Sequence, residues 1–95
     1  MIESEKSLEK LVTKEILKVG GLSVKLLSTH FTGLPDRLCL LPGGRLLFIE
    51  VKTTGKKPSK IQILVHNKLR SLGFTVSVID NSKDLKDLIQ SYERK

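Results

Sequence analysis

Three segments of the chain repeat apolar residues at three- and four-residue spacing, which is the pattern of amphipathic helices. The first covers about residues 4–19 and stops at the pair Gly20-Gly21. The second covers about residues 59–73, and the third begins at Asn81 or Ser82. The predicted apolar stripes are, in order, Leu8, Leu11, Val12, Ile16 and Val19; Ile61, Val65, Leu69 and Leu72; and Leu85, Leu88, Ile89 and Tyr92.

Four shorter apolar segments, bounded by turn residues, predict β-strands. The second and third flank Pro42-Gly43-Gly44 and therefore form an antiparallel hairpin. The fourth follows the second helix, and such a crossover brings it parallel to an earlier strand. The predicted fold class is α/β, in the order α-β-β-β-α-β-α, with a mixed four-stranded sheet flanked by helices. The predicted strands are Leu22–Ser28, Arg37–Leu41, Arg45–Lys52 and Phe74–Ile79.

Composition and length indicate one small globular domain. The 95 residues are 39% hydrophobic and 28% charged, so we expect a single domain over residues 1–95. The longest apolar runs, Leu38–Leu41 and Leu46–Ile49, are far shorter than the ~20 residues that span a bilayer, and no membrane partner is expected. The single Cys39 excludes an internal disulfide and a structural zinc site. The N-terminus lacks a secretory signal, so we expect a cytoplasmic protein.

The net charge of +7 is concentrated in the middle of the chain. Residues 25–70 contain nine Lys and Arg but only two acids, whereas the remaining residues contain eight of each. A concentrated basic surface favours a polyanion such as duplex nucleic acid, although solvated lysines that maintain solubility explain the charge alone equally well. The two acids, Asp36 and Glu50, are informative because phosphates repel a carboxylate unless it holds a bridging cation.

Asp36 is predicted to lie almost opposite Glu50 across the hairpin, because residues paired around its turn have numbers that sum to about 86 or 87. Glu50 and Lys52 share one face of the third strand, where charges at the rim of a covered face need partners. Two interpretations fit this arrangement. The three side chains form an ion-pair cluster that closes the end of the sheet, or the carboxylates bind a divalent cation that removes their repulsion.

The motifs around these residues resemble those of a nuclease family. Gly33-Leu34-Pro35-Asp36, then Ile49-Glu50-Val51-Lys52, then Gln62 in the next helix are similar in order and spacing to the VRR-NUC (virus-type replication-repair nuclease) family of the PD-(D/E)xK nuclease superfamily. The resemblance extends from Glu5 to about Asp80 and is greatest for stand-alone phage and bacterial members of about this length. It implies a restriction-endonuclease-like core with the element order given above.

The resemblance implies a role for each residue of the Pro-Asp and Glu-Val-Lys motifs. Asp36 and Glu50 would bind Mg²⁺ or Mn²⁺ through their carboxylates, together with the backbone carbonyl of Val51. Lys52 would position or help to deprotonate the attacking water and stabilise the charge that grows on the phosphate. The family hydrolyses phosphodiester bonds in line, leaving 5′-phosphate and 3′-hydroxyl ends.

Two helical positions complete the implied catalytic set, each with an alternative. The first-helix acid of the family, a further metal ligand, matches Glu9 in its Leu-Glu-Lys-Leu context, although Glu5 lies nearer the centre of the apolar stripe. We favour Glu9 and keep Glu5 as the second choice, and a solvated helix acid is the alternative for both. Gln62 matches the glutamine of the family, but Ser59-Lys60-Ile61-Gln62 is also a capping box, in which Gln62 bonds to the Ser59 backbone.

Basic residues of the central segment are the predicted nucleic-acid contacts. Lys25 matches a basic position that contacts the scissile phosphate region in the family, with a solvated strand lysine as the alternative. His66 lies one turn after Gln62 and can approach the phosphate, although a histidine on the helix surface is the simpler interpretation. The predicted contacts are Lys25, Arg37, Lys56, Lys57, Lys60 and His66.

The function implied by the resemblance is a Mg²⁺- or Mn²⁺-dependent, structure-selective DNA endonuclease. Small stand-alone members resemble Holliday junction resolvases, so we expect a homodimer that acts on branched or four-way DNA, in the host cytoplasm if the chain is phage-encoded. A non-catalytic DNA-binding or assembly module with the same fold is the alternative, although the Asp, Glu and Lys are all intact. An RNA-directed nuclease would differ only in substrate.

Overall fold

The computed structural model describes residues 1–27 and 29–93 of the chain. In these residues the α-helices are α1 (Glu5–Lys18), α2 (Lys60–Ser71) and α3 (Ser82–Glu93), and the strands are β1 (Leu22–Lys25), β2 (Arg37–Leu41), β3 (Arg45–Val51) and β4 (Thr75–Ile79). None of the helices in these two ranges is long and apolar enough to cross a membrane.

The four strands form one mixed sheet in the order β1-β2-β3-β4. β1 pairs antiparallel with β2, β2 pairs antiparallel with β3, and β4 runs parallel to β3 after the α2 crossover. Leu41 pairs with Arg45 across a short 3₁₀ turn, Pro42–Gly44, in which both glycines have a positive φ. The fold class, the element order and the hairpin register are therefore as the sequence predicts.

One face of the sheet carries the apolar core. α1 and α3 contact each other and cover this face. Alternate residues of β3 point into it, because successive side chains of a strand lie on opposite faces. The buried core comprises Leu8, Val12 and Ile16 of α1, Cys39 and Leu41 of β2, Leu47, Ile49 and Val51 of β3, Ile79 of β4, and Leu85 and Ile89 of α3.

α2 lies on the opposite face, and its predicted apolar stripe is only partly buried. Ile61 is 45% exposed, Leu72 is 59% exposed, and the one fully buried residue of this helix is His66. The stripe packs instead beside the loop that precedes β2, where a Cβ on Gly33 would lie 2.8 Å from Val65 Cγ2. The loop and α2 therefore support each other, and the side of α2 that faces the sheet is free to carry polar groups.

β1 is shorter than the sequence predicts and ends at Lys25; Ser28, the predicted last residue, lies outside the described residues. The register of β1 with β2 sets Pro35 opposite position 27. Proline has no backbone N–H, so the ladder of hydrogen bonds cannot continue there. The chain leaves the sheet at this point, immediately before Asp36.

Candidate active site

Asp36 is held where the loop enters β2. Pro35, the preceding residue, is buried, and Asp36 Oδ2 accepts a hydrogen bond of 2.7 Å from the backbone N–H of Val51. Extending the β2–β3 register by one position sets Asp36 opposite Glu50, as the sequence predicts. The Pro-Asp and Glu-Val-Lys motifs are thus joined by direct contact as well as by strand pairing.

Glu50 is a charged residue with only 1% of its surface exposed. Its Oε2 accepts a hydrogen bond of 3.0 Å from Gln62 Nε2 and lies 3.3 Å from Lys52 Nζ. Its Oε1 has no hydrogen-bond partner among the described residues. One oxygen of this carboxylate is therefore held by the protein, and the other retains its capacity to bind a further group.

The environment disfavours the charged forms of both carboxyls. The pKa of Glu50 is raised to about 7, first by burial and then by the charge of Asp36, against the opposing effect of Lys52. The pKa of Asp36 is also raised, first by burial, against the opposing Val51 hydrogen bond and with repulsion from Glu9. A bound cation would remove the repulsion between the two groups, because it favours both charged forms.

Gln62 forms the predicted capping box and also contacts Glu50. Ser59 and Gln62 form the capping box of α2, in which the Ser59 backbone N–H donates to Gln62 Oε1 at 2.9 Å and the Gln62 backbone N–H donates to Ser59 Oγ at 3.3 Å. The amide nitrogen of the same side chain donates to Glu50. The cap therefore sets the side-chain position from which Gln62 reaches the carboxylate.

His66 is buried, with 1% exposure, so the expectation of a histidine on the helix surface is wrong. Its Nε2 lies 3.8 Å from Glu50 Oε1. Burial, followed by the positive charges of Arg70 and Lys52, lowers the pKa of this imidazole. The sequence signal was the spacing of four residues from Gln62, since residues i and i+4 share a helix face.

Glu9 forms an ion cluster with two other predicted site residues. Its Oε1 lies 3.1 Å from Arg37 Nη2 and 3.3 Å from Lys25 Nζ. These side chains line a cleft of about 340 Å³, together with Lys6 and Lys10. The structure therefore brings Glu9 of α1 together with Lys25 and Arg37. These three side chains form an ion cluster that is separate from the contacts between Asp36, Glu50 and Lys52.

Glu5, the alternative first-helix acid, lies on the exposed N-terminal turn of α1. Its charge raises the pKa of Asp36 and of Glu50, whereas the charge of Glu9 raises that of Asp36. The electrostatic influence of Glu5 thus extends to both carboxyls of the hairpin.

The predicted lysine contacts after β3 are exposed. Lys56 and Lys57 lie in the loop that leads to α2, and Lys60 is the first residue of that helix. Thr54, at the start of this loop, donates from its hydroxyl to the backbone carbonyl of Asp80 at 2.7 Å. Sequence reasoning missed this anchor, because 26 residues separate its partners and no local pattern links them.

The donor atoms of the paired carboxyls suit a hard divalent cation. Asp36, Glu50 and the backbone carbonyl of Val51 offer oxygen only, which is the preference of Mg²⁺ and Mn²⁺. In the part of the chain that the structure describes, no group of three or more His, Cys, Asp and Glu side chains is arranged to hold a metal ion. A cation at this pair would therefore complete its coordination with the backbone carbonyl and water, leaving positions open to a phosphate.

Two known proteins resemble the chain over most of its length. The curated protein "Putative nuclease p44" of Acyrthosiphon pisum secondary endosymbiont phage 1 is 41% identical over 85 residues, which are 90% of this chain and 90% of that protein. A solved structure described as a VRR_NUC domain is 32% identical and superposes with a TM-score of 0.86, covering 95% of this chain and 99% of that one. No family model matches the chain.

Proposed function

The chain belongs to the VRR-NUC family of nucleases, and we propose that it is a Mg²⁺- or Mn²⁺-dependent endonuclease that hydrolyses phosphodiester bonds in branched DNA. The observation that carries the proposal is the pairing of Asp36 and Glu50 across the β2–β3 hairpin, with Lys52 beside Glu50. Two carboxylates and a lysine at one point supply a cation site and a positive charge, which are the groups that metal-assisted phosphodiester hydrolysis uses.

Asp36 and Glu50 would hold the cation, with the backbone carbonyl of Val51 as a third oxygen donor. The raised pKa values of the two carboxyls support this role, because the charged form of each is disfavoured until a further positive charge compensates it. The hydrogen bond from the Val51 N–H restricts the rotamer of Asp36. A divalent cation bound there supplies Lewis-acid chemistry to the phosphodiester.

Lys52 would act on the reacting groups. Its side chain is 18% exposed, and its Nζ is held 3.3 Å from Glu50 Oε2, so the ammonium group is anchored yet open to solvent. From this position it would orient the attacking water, help to remove its proton and stabilise the charge that develops on the phosphate. Gln62 would keep the Glu50 carboxylate in place through the same oxygen.

For the first-helix acid, the contacts favour Glu5 over Glu9. Glu9 would have to release Arg37 and Lys25 before its carboxylate could reach a cation. The charges of both acids raise the pKa of Asp36, that of Glu9 more than that of Glu5, but only Glu5 also raises the pKa of Glu50. We therefore propose Glu5 for this role. Glu9 would instead position the side chains of Lys25 and Arg37.

The matched variants Glu5→Gln and Glu9→Gln test this assignment. Glu5→Gln should weaken Mn²⁺ binding, and Glu9→Gln should alter the salt dependence of DNA binding while Mn²⁺ binding is retained. The reverse pattern would return the metal role to Glu9.

DNA is the proposed substrate, and the exposed lysines that follow Lys52 along the chain would bind its phosphates. Lys56, Lys57 and Lys60 follow Lys52 along the loop and the start of α2. A strand whose phosphate reaches Lys52 would meet these charges next, and contacts of this kind bind the backbone without reading the bases. Selection among DNA molecules would then depend on shape, which agrees with a branched substrate.

We propose that the enzyme acts as a homodimer, since symmetric strands of a four-way junction require two active sites. On the sheet face opposite α1, the strands β1 and β2 expose Leu22 (54%), Val24 (37%) and Leu40 (40%). A second copy would bury this apolar surface. Sedimentation should show a dimer for the wild type and a monomer for Leu40→Lys. A monomeric wild type, with and without DNA, would contradict the junction-resolving form.

The experiment that tests the function is cleavage of a labelled four-way junction, with linear duplex and a splayed arm as comparisons, in Mg²⁺ or Mn²⁺. The wild type should cut two symmetric strands. Asp36→Asn and Lys52→Ala should lose cutting while their fold and DNA binding persist. Lys86→Ala, on the exposed surface of α3, is the matched control and should cut normally.

Binding without cutting in either metal would favour the non-catalytic module. A Mn²⁺ titration separates the two functions independently, because a module that only binds DNA has no need of a cation held by Asp36 and Glu50.

A further inference from the structure

Two buried polar atoms face each other beneath the proposed cation site. His66 Nε2 lies 3.8 Å from Glu50 Oε1, and the two side chains are 2% and 1% exposed. Neither atom has a hydrogen-bond partner among residues 1–27 and 29–93. Buried polar atoms without partners are rare in folded proteins, because each loses its hydrogen bonds to water.

The two atoms are complementary as hydrogen-bond donor and acceptor. An imidazole nitrogen can carry a proton to donate, and a carboxylate oxygen accepts. The observed separation exceeds a hydrogen bond, but an approach of about 0.9 Å would form one. Hydrogen bonds in active sites are often long without substrate and shorten in the functional complex.

We propose that His66 is a positioning residue for Glu50, donating from Nε2 to Oε1 when the site binds its cation. The inference rests on the proposed function. Gln62 already holds Oε2, so this bond would leave both carboxylate oxygens fixed by residues on successive turns of α2. A carboxylate has about four lone-pair sites, which leaves room for the cation as well.

The composition of α2 supports this role over simple packing. Its apolar residues Ile61 and Leu72 are largely exposed, while His66 takes the buried position above β3. If His66 only filled space, its replacement by leucine would not lower the affinity for the cation, since leucine has a similar volume and no polar atom to leave unpaired. The choice between packing and positioning is therefore open to a direct test.

The test compares His66→Leu with His66→Gln by measuring Mn²⁺ affinity from the electron paramagnetic resonance signal of free Mn²⁺. His66→Leu should weaken binding by about 10- to 100-fold, the range seen when a hydrogen bond to a metal ligand is lost. His66→Gln should restore most of the affinity, because its amide N–H can donate. His30→Leu, at the other histidine of the chain, is the control and should bind as the wild type does.

Equal Mn²⁺ affinity in His66→Leu and the wild type would overturn the inference. Direct coupling of an imidazole ¹⁴N nucleus to bound Mn²⁺, observed by electron spin echo, would overturn it too, because His66 would then be a ligand. If the wild type binds no Mn²⁺ that depends on Asp36 and Glu50, the proposed function fails and the inference fails with it.

A measurement on the wild type keeps the inference testable if the variants do not fold. On addition of Mg²⁺, the Nε2 proton of His66 should move downfield in a ¹H–¹⁵N spectrum, as a proton does when it enters a hydrogen bond. An unchanged resonance on saturation with Mg²⁺ would overturn the inference.

Discussion

The two faces of β3 bury chemically different groups at the end of the strand. Ile49 and Val51 are 0% exposed and pack among apolar residues of α1 and α3. Glu50 lies between them in sequence, is 1% exposed, and faces Gln62 and His66 of α2. The alternation of a β-strand lets adjacent residues enter these two environments without any irregularity in the backbone.

The two faces of this strand therefore contribute differently to stability and to the proposed activity. The α1–α3 face has buried apolar groups in contact with one another, which favours the folded state. The α2 face holds a carboxylate whose pKa is raised to about 7 and two polar atoms that have no partner among the described residues, and both features oppose the folded state. Substitutions on the two faces should therefore separate stability from activity.

The largest effect is expected from Glu50→Gln. Cleavage should fall by about 10³-fold or more, because the site loses a charged ligand. The free energy of unfolding of the metal-free protein should stay the same or rise, since an amide is easier to bury than a carboxylate. Junction cleavage and urea unfolding measure the two changes. A clear loss of stability would instead favour a structural ion pair with Lys52.

Ile49→Ala is the corresponding change on the apolar face. It should lower the free energy of unfolding by about 2–5 kcal/mol, because it removes buried methylene groups and leaves a cavity. Mn²⁺ affinity should be unchanged at a temperature where the variant is folded. Urea unfolding and a Mn²⁺ titration of one preparation test both statements, and a large drop in Mn²⁺ affinity would show that the faces are coupled.

Glu50 should make the metal-free protein less stable as the pH rises from about 4.5 to about 7, whereas His66, whose pKa is lowered by burial, acts in the opposite direction. The pKa of Glu50 is raised from 4.5 to about 7 by folding, so its contribution is fully present below the lower value and is lost as the pH passes the upper one. The expected loss from Glu50 is on the order of 3 kcal/mol. Urea unfolding in a chelator across this range measures it. Glu50→Gln should lose this decrease and keep the opposite contribution of His66; an equal slope in that variant would assign the effect to other groups.

The smallest effect distinguishes the two roles of Gln62. Ser59→Ala and Gln62→Ala both break the capping box, and each should lower the free energy of unfolding by about 1 kcal/mol. Gln62→Ala should in addition weaken Mn²⁺ binding, because it releases Glu50 Oε2. Thermal unfolding and a Mn²⁺ titration of the pair measure both effects. Equal Mn²⁺ affinity in the two variants would limit Gln62 to its capping role.

Much of the arrangement around β3 could be predicted because it depends on short-range rules. The Pro-Gly-Gly turn sets the hairpin register, and that register alone brings Asp36 opposite Glu50. The capping box follows from the identities of Ser59 and Gln62. The element order follows from the periodicity of apolar residues, and the resemblance in motifs led to the family.

The other features of the site could not be predicted, because they depend on contacts between elements that are distant in the sequence. The sequence did not show which side of α2 faces the sheet, since the helix meets the Gly33 loop on one side and Glu50 on another. Whether Glu9 is a free acid or a partner of Arg37 depends on how α1 lies across the sheet. The anchor from Thr54 to Asp80 joins distant parts of the chain.

The sequence by itself determined the order of the elements and the pairing of the two carboxyls, because strand alternation, turn geometry and helix capping act between near neighbours. Only the tertiary structure decided that Glu50 is buried against Gln62 and His66, with one oxygen held and the other facing an imidazole. The physical reason is that burial and pKa depend on the groups that surround a side chain, and here those groups come from a helix whose orientation is set by long-range packing.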